Sequence, residues 1–315
     1  MKKKRLKLKK KVWYILVAII FIPIFIISFF KVKNNYEYKK TYEYRFINAG
    51  YSKEEYQVLA KYFDDDYLET LLKNDKDEDL IKLVSNKHFI LENLDRYQKL
   101  YNHYHNIDID EIVLNINLNL DYDYYEVIED TDISKNNLML VNKYNKLPDD
   151  YEPEDLVTIG VKYCWGEGKK IRKEVYESFM KMWEAAYDDG IYLVINLAYR
   201  SYADQEAIYN RLMNQKNRKY ADSIAARPGH SEHQTGLAID IFDRNNTDFE
   251  NSDANSWLQE NAYKYGFIQR YTEDNVAITG FNTENYHYRY VGKEDAKKIF
   301  DQKITFDEYY HYNVK

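Results

Sequence analysis

Two short stretches hold most of the residues in this chain that could do chemistry. Residues 231–240 read SEHQTGLAID and residues 284–287 read ENYH. Together they supply the imidazoles of His233 and His287, the carboxylate of Asp240 and a spare carboxylate at Glu284. Three protein ligands, one position left open for water and a base beside them are the components of a catalytic zinc site. The spacing differs from the HExxH helix, whose two histidines lie one turn apart.

The spacing in the first stretch predicts a turn followed by a strand. Asp240 comes seven residues after His233. An odd step cannot keep two side chains on one face of a continuous strand. We therefore expect the chain to turn through Gly236, where glycine tolerates unusual backbone angles, and then to enter a strand over 237–242 that carries Asp240.

The second stretch predicts another strand. Residues 286–291 are aromatic and β-branched, which is typical of strands. Alternation along this strand would direct His287 and Arg289 to one face and the three tyrosines to the other. Glu284 lies three residues before His287, near the start of the strand. This offset lets its carboxylate approach metal-bound water without binding the metal.

The pattern SxHxxGxAxD followed by ExxH resembles the LAS metallopeptidases, and within them the VanY-type carboxypeptidases of bacterial cell walls. The resemblance covers roughly residues 137–292. The separate segments that carry it, besides the two metal motifs, are Leu138–Lys143 with Leu147-Pro148, and Tyr199-Arg200-Ser201 with Gln205. One departure is visible, because the VanY type often has Glu-Pro-Trp-His where this chain has Glu284-Asn285-Tyr286-His287. The acid and the ligand keep their places, so the departure concerns the wall of the pocket.

The resemblance implies a role for each matching residue. It implies one Zn²⁺ per chain, with Glu284 as the general base and Arg200 stabilising the oxyanion or holding the peptide carbonyl. It places Ser231 and Gln205 along the substrate. The implied zinc ligands are His233, Asp240 and His287.

Three other residues have a simpler structural interpretation than a role at the metal. His230 follows a glycine and fits a loop position better than a metal ligand. Asp243 could support a ligand histidine, but a turn at the end of a strand is the favoured interpretation. The single cysteine, Cys164, lies among aromatic residues and is expected to be a buried, inert thiol. A single cysteine also excludes an internal disulfide.

The N-terminal segment predicts a membrane anchor. Residues 2–11 contain eight Lys or Arg, and residues 13–30 form an uncharged run interrupted only by Pro23 and Ser28. At 1.5 Å per residue an 18-residue helix is about 27 Å long, enough for the core of a bilayer. We expect a cytoplasmic basic tail at 1–12, a single-pass anchor at 13–30 in a bacterial cell membrane, and an extracellular catalytic domain. A cleaved signal peptide is the alternative, but no small-residue cleavage site follows the run.

The charge distribution argues against nucleic acid as a partner. The formal net charge is −7 and the first 33 residues contribute +10, so the remainder carries −17. A strongly anionic domain is a poor nucleic-acid binder. The basic N-terminal run beside an apolar span instead indicates membrane topology.

The remaining patterns predict two folded parts. Residues 37–125 predict a small helical module with a capping box at Ser52–Glu55, and 114–120 alternates like a strand. The module could be a spacer, which we favour, or a docking surface for a wall or division protein whose identity the sequence does not give. Residues 136–302 predict an α+β zinc carboxypeptidase domain, a mainly antiparallel sheet with helices around a single zinc site. Residues 303–315 are set apart as a C-terminal tail.

The expected function is a zinc-dependent D,D-carboxypeptidase that removes the terminal D-Ala from peptidoglycan stem pentapeptides. The alternatives within the enzyme class are an L,D-carboxypeptidase on tetrapeptide stems and a peptidoglycan endopeptidase. An alternative of another class is a non-catalytic wall-binding module that keeps the metal. The presence of Glu284 and Arg200 favours the enzyme.

Overall fold

The computed structural model describes residues 10–104 and 107–315, with side chains described from residue 22 onward. The chain divides into two compact units, Met1–Val113 and Leu114–Lys315. The break falls inside a helix, Ile109–Asn117. Residues 114–125, which the sequence assigns to the helical module, are therefore grouped with the second unit.

The regular elements of the first unit are helices within its described residues. The capping box predicted at Ser52 is confirmed, because Ser52 and Glu55 each accept the other's backbone N–H. The helices are α1 Lys10–Tyr38, α2 Tyr42–Asn48, α3 Lys53–Tyr62, α4 Asp65–Lys73, α5 Glu78–Ser85, α6 Leu94–His103 and α7 Ile109–Asn117, the last of which runs into the second unit.

The strand predicted over 114–120 is wrong, because most of that segment belongs to α7. The alternation of Leu114, Ile116 and Leu118 also fits a helix when the preceding residues are included. Ile112 and Ile116 are four residues apart and both are buried, which is the spacing of one helix face. The Asp108 carboxylate accepts the backbone N–H of Asp110 at 2.7 Å near the start of the helix.

The predicted membrane anchor lies only partly within the description. Helix α1 covers the segment and contains Pro23. Residues 1–9 lie outside the described part of the chain, as do the side chains of residues 10–21, and with them the basic tail and the first half of the apolar run. Among the helices searched, which comprise described residues only, none is both long and apolar enough to cross a membrane.

A four-stranded antiparallel sheet forms the centre of the second unit. Its spatial order is β5-β6-β8-β7, so that β6 and β8 are the two inner strands. The strands are β5 Leu193–Leu197, β6 Ala238–Asp243, β7 Phe267–Tyr271 and β8 Glu284–Tyr290. Strands β6 and β8 correspond to the strands expected over 237–242 and 286–291, with ends that shift by at most two residues.

Helices and two small sheets surround this sheet, so the mixed architecture expected from the sequence is present, although the sheets are small. A parallel pair joins β1 to β2, and an antiparallel pair joins β3 to β4. These strands are β1 Glu129–Asp130, β2 Asn145–Lys146, β3 Leu156–Thr158 and β4 Lys170–Arg172. The helices are α8 Lys173–Asp188, α9 Tyr202–Gln215, α10 Arg218–Ile224, α11 Asp253–Asn261, α12 Val276–Thr279, α13 Lys293–Gln302 and α14 Phe306–Asn313.

The main apolar core holds the inner strands in place. Helix α8 contributes Phe179 and Met182, which are fully buried with Ile239 and Ile241 of β6. Burial of each such side chain stabilises the fold by about 1.5–3 kcal/mol. Because strand side chains alternate, the same packing directs Asp240 to the opposite face of β6.

The segment 303–315 is mostly helical. Residues Phe306, Tyr309 and Tyr310 of α14 are buried in a second apolar cluster with Ile268 and Ile299. A capping box between Thr305 and Glu308 begins the helix. The C-terminal segment is therefore part of the packed second unit.

Candidate metal centre

A left-handed turn and one cross-strand pair place the three predicted ligands. His233 lies in a short 3₁₀ helix, Glu232–Thr235, which ends at Gly236 with φ of 65°. An added Cβ at Gly236 would lie 2.9 Å from the Cγ of Arg172, so the position excludes a side chain as well as favouring glycine. The chain then enters β6, where Asp240 pairs directly with His287 of β8.

The donor atoms of His233, Asp240 and His287 all lie within 4.8 Å of one another, and all three residues are buried. The Oδ1 of Asp240 lies 3.4 Å from Nε2 of His233 and 3.1 Å from Nδ1 of His287. The remaining ring nitrogens are occupied, because Nδ1 of His233 donates to the carbonyl of Ala198 at 2.9 Å and Nε2 of His287 donates to Glu232 at 3.2 Å. Each imidazole therefore directs its other nitrogen at the carboxylate of Asp240.

This donor set fits zinc. Two imidazoles and one carboxylate are a known ligand combination for catalytic zinc, and they leave a fourth position open. Zinc-binding histidines almost always donate their other N–H to a carboxylate or carbonyl, as both rings do here. Three observations therefore support the fit to zinc. The ligand types are suitable, the three donor atoms lie close together, and the ring nitrogens that point away from the site make hydrogen bonds.

The charges of the three donor residues change one another's pKa values. Burial alone would raise the pKa of Asp240, but the imidazoles of His233 and His287 outweigh it and hold the pKa below its usual range. Burial alone would lower the pKa of His287, but hydrogen bonds to Asp240 and Glu232 raise it to about 9. Burial lowers the pKa of His233. A bound cation would therefore have to displace a proton from His287.

Glu284 lies beside the three donors without belonging to the group. Its Oε2 is 3.7 Å from Nδ1 of His287, and its side chain is partly exposed. Burial raises the pKa of Glu284 above its ordinary value, and the neighbouring charge of Asp240 also raises it. A carboxylate with a raised pKa at the edge of a metal site is suited to accept a proton from water near neutral pH.

Arg200 follows β5 and reaches the same region. Its backbone N–H donates to the carbonyl of His233 at 3.1 Å, and its Nη1 donates to Oε1 of Gln205 at 2.7 Å. Burial lowers the pKa of Arg200, and the negative charges of Asp240 and Glu284 oppose that effect. A guanidinium near both carboxylates provides positive charge next to the three donors.

The structure gives Gln205 and Ser231 supporting positions. Gln205 is 1 % exposed, and its Nε2 donates to the carbonyl of Ala226 at 2.7 Å while its oxygen accepts from Arg200. These contacts fix Arg200, and a contact between Gln205 and substrate stays a prediction. Ser231 is buried immediately before the 3₁₀ helix that carries His233, and its role along the substrate also stays a prediction.

His230, Asp243 and Cys164 do not belong to the group of three donors and make other contacts. Nδ1 of His230 contacts the carbonyl of Asn142 at 2.8 Å, and burial lowers the pKa of His230 to about 4. Asp243 accepts the backbone N–H of Asn245, as a turn residue does. Cys164 is buried, and burial raises the pKa of its thiol, which keeps it unreactive.

A buried charge cluster that was not predicted from the sequence lies behind His287. Glu232 is fully buried and contacts the guanidinium groups of Arg270 and Arg289, and Arg270 also contacts Asp307. Burial alone would raise the pKa of Glu232, but the two arginines outweigh it and lower it. One signal was available, because strand alternation already placed Arg289 on the same face as His287, where a buried arginine requires an acidic partner.

The family model described as VanY: D-alanyl-D-alanine carboxypeptidase matches residues 168–293. YodJ of Bacillus subtilis is 43 % identical over 185 residues, which are 56 % of this chain and 67 % of YodJ. A D-alanyl-D-alanine carboxypeptidase of Enterococcus faecalis is 36 % identical over 193 residues, which are 58 % of this chain and 68 % of the relative.

Solved structures of similar proteins also include carboxypeptidases. The LD-carboxypeptidase LdcB superimposes with a TM-score of 0.55 and 41 % identity, over 58 % of this chain and 89 % of LdcB. VanYB in complex with D-alanine-D-alanine gives a TM-score of 0.51 and 33 % identity, over 56 % of this chain and 98 % of VanYB.

Proposed function

The chain belongs to the VanY family of D-alanyl-D-alanine carboxypeptidases, and we propose that it is a D,D-carboxypeptidase which removes the terminal D-Ala from peptidoglycan stem pentapeptides. Family membership makes the chain an enzyme, so the non-catalytic wall-binding module is set aside. The observation that carries the proposal is the convergence of His233, Asp240 and His287 beside the partly exposed carboxylate of Glu284.

The three converging residues would hold one zinc ion per chain. When bound, zinc would polarise the scissile carbonyl and bring the pKa of water to about 7. The residues of the chain supply the remaining chemistry. Glu284 accepts the proton of the attacking water at its carboxylate and later delivers it to the departing amine. Its raised pKa favours both steps, because the group can hold the proton between them.

Arg200 supplies positive charge where the carbonyl oxygen becomes negative. Its guanidinium is held by Gln205 and lies close enough to Asp240 and Glu284 for their charges to affect its pKa. A prearranged cation of this kind stabilises a developing oxyanion without reorganisation at the moment of reaction. We propose that Ser231 contributes a hydrogen bond to the peptide backbone of the substrate.

A specific observation favours a second candidate, L,D-carboxypeptidase activity on tetrapeptide stems. The chain is 41 % identical to the LD-carboxypeptidase LdcB and 33 % identical to VanYB. We favour the D,D reaction because the matching family model and the Enterococcus faecalis relative are both D-alanyl-D-alanine carboxypeptidases. Both reactions use the same metal site, so the difference lies in the substrate pocket.

Defined peptides test the proposal. The zinc-loaded full chain is incubated with a stem pentapeptide, a stem tetrapeptide and a C-terminally amidated pentapeptide, and products are read by mass. We expect D-Ala release from the free pentapeptide and slow reaction of the amide. Release from the tetrapeptide alone would establish the L,D reaction, and equal rates on the acid and the amide would indicate an endopeptidase. The Glu284→Gln protein is the matched control for contaminating peptidases.

We also propose that the catalytic unit faces the outside of a bacterial cell from a single N-terminal anchor. The basic run at 2–11 and the uncharged run at 13–30 support this orientation, as do exposed apolar side chains such as Phe25 and Ile27 on α1. Protease added to intact cells should cleave a C-terminal epitope tag. Protection of the tag until the cells are lysed would refute the orientation.

A further inference from the structure

Glu232 is a carboxylate with no exposed surface, and it lies one residue before the ligand His233. Its Oε1 accepts hydrogen bonds from Nε of Arg270 at 2.8 Å and from Nη1 of Arg289 at 3.2 Å. Its Oε2 accepts from Nε2 of His287 at 3.2 Å. One oxygen therefore serves the two arginines and the other serves a predicted zinc ligand.

The cluster continues to the C-terminal helix. Nη1 of Arg270 donates to Oδ2 of Asp307 at 2.7 Å, and Oδ1 of Asp307 accepts from the side-chain amide of Asn142 at 2.8 Å. The side chains of Arg270 and Asp307 are 1 % and 3 % exposed. Asp307 lies on α14, beyond the residues that the family model matches.

Stability alone gives a poor account of this arrangement. Removing charged groups from water is costly, and well-packed apolar residues often serve a fold as well as or better than a buried ion pair. The directions of the contacts suggest another use. An imidazole can present either nitrogen to a metal, and the nitrogen that is free is determined by the hydrogen bond that the other one makes.

We propose that Glu232 is a positioning residue, which holds the ring of His287 so that its Nδ1 faces Asp240. The ion pairs of Arg270 extend this hold to Asp307, so that the C-terminal helix takes part in orienting a metal ligand. The inference rests on the proposed zinc site, and it adds the atoms that aim one ligand at the metal. Contacts of this kind also raise the basicity of the ligand.

The expected effect is on metal affinity and on the ligand field. Removing a carboxylate that orients a zinc-binding histidine typically weakens zinc binding by about 10- to 100-fold, which we expect for Glu232→Gln. Asp307→Asn acts through Arg270 and should cause a smaller loss, at or below about 10-fold, the lower end of that range. In the Co²⁺-substituted protein, both variants should shift the visible absorption bands, because the orientation of His287 differs.

Asp295→Asn is the matched control. Asp295 accepts hydrogen bonds from the hydroxyl of Tyr309 on α14 and from Lys298 at 3.2 Å. The control therefore removes one negative charge and loosens the same helix without touching Arg270. It should keep the zinc affinity and cobalt spectrum of the wild type.

The experiment measures zinc affinity of the full chain by competition with a chromophoric chelator, together with the cobalt spectra and the melting temperature of each metal-free protein. If Glu232→Gln does not fold, Asp307→Asn is the variant that tests the inference. Wild-type affinity and spectra in Asp307→Asn, or equal losses in Asp307→Asn and Asp295→Asn, would overturn the inference. A wild-type chain that binds no zinc would overturn the proposed function first, and the inference with it.

Discussion

Gln205→Ala separates two roles for a residue that the sequence analysis placed along the substrate. In the structure both ends of its side chain are engaged inside the protein, by Arg200 and by the carbonyl of Ala226, each at 2.7 Å. The alanine variant removes the oxygen that accepts from Nη1 of Arg200. We therefore expect the defect to arise through Arg200.

The contacts give the size of the effect. A hydrogen bond to a charged group contributes about 1.5–3 kcal/mol and the neutral bond to Ala226 about 0.5–1.5 kcal/mol, so the free energy of unfolding should fall by about 2–4.5 kcal/mol. If Arg200 loses its orientation, the transition state loses a comparable charged contact. Since about 1.4 kcal/mol corresponds to a factor of ten, kcat/KM should fall about 10- to 100-fold.

A pH profile gives an independent measure. Without the Gln205 oxygen, the guanidinium of Arg200 should move toward the negative charges of Asp240 and Glu284, which already act on it. The charge of Arg200 lowers the pKa of Glu284. The acidic limb of the kcat/KM profile should therefore move to lower pH, because Glu284 stays ionised to lower pH.

The assay is steady-state hydrolysis of the preferred stem peptide from pH 5 to 9, with Glu206→Ala as the control. Glu206 is exposed on the same helix and should behave as the wild type. An increase in KM with kcat unchanged would restore Gln205 to the substrate-contact role. Wild-type kinetics in Gln205→Ala would refute the reasoning about Arg200.

Three further outcomes are expected. Glu284→Gln should retain zinc and lose about 10² to 10⁴ in kcat, because an amide cannot accept the proton, and retained turnover would redirect the search for the base. Chelators should abolish activity and β-lactams should not, while His233→Ala should lose stoichiometric zinc by metal analysis; stoichiometric block by penicillin would contradict a metal mechanism. In the metal-free protein, stability should fall between pH 7 and 5 by about 2 kcal/mol from His230 alone. The pKa of His230 falls from 6.5 to about 4 on folding, so the unfolded chain binds the proton first and stability is lost as pH drops below 6.5. Urea unfolding of His230→Asn should show a weaker pH dependence, and an unchanged slope would exclude His230 as its source.

The sequence alone indicated the composition of the site. Two histidines, one aspartate and one spare glutamate were recognisable because metal binding requires particular donor atoms, and residue type determines those atoms. The period of two along a strand also predicted that His287 and Arg289 share a face. The structure agrees, since both side chains contact Glu232.

Sequence patterns discriminated less well between helix and strand where the same residues fit both periodicities. The alternating residues of 114–120 fit a strand, yet the segment is helical through Asn117 because the buried face of α7 repeats every four residues. Short apolar runs of this kind do not discriminate between the two periods. Burial of one face of the segment, which includes Ile112 and Ile116, selected the helix.

Tertiary structure alone determined how the donors meet and what surrounds them. Asp240 and His287 are separated by 47 positions in the chain, and only the pairing of two inner strands brings them to 3.1 Å. Glu232 is separated by 38 positions from Arg270, which in turn is separated by 37 from Asp307. The spacing of residues along a chain fixes neither strand register nor the burial of a charge. Both depend on partners that arrive from distant segments, and a buried carboxylate is tolerated only where such partners neutralise it.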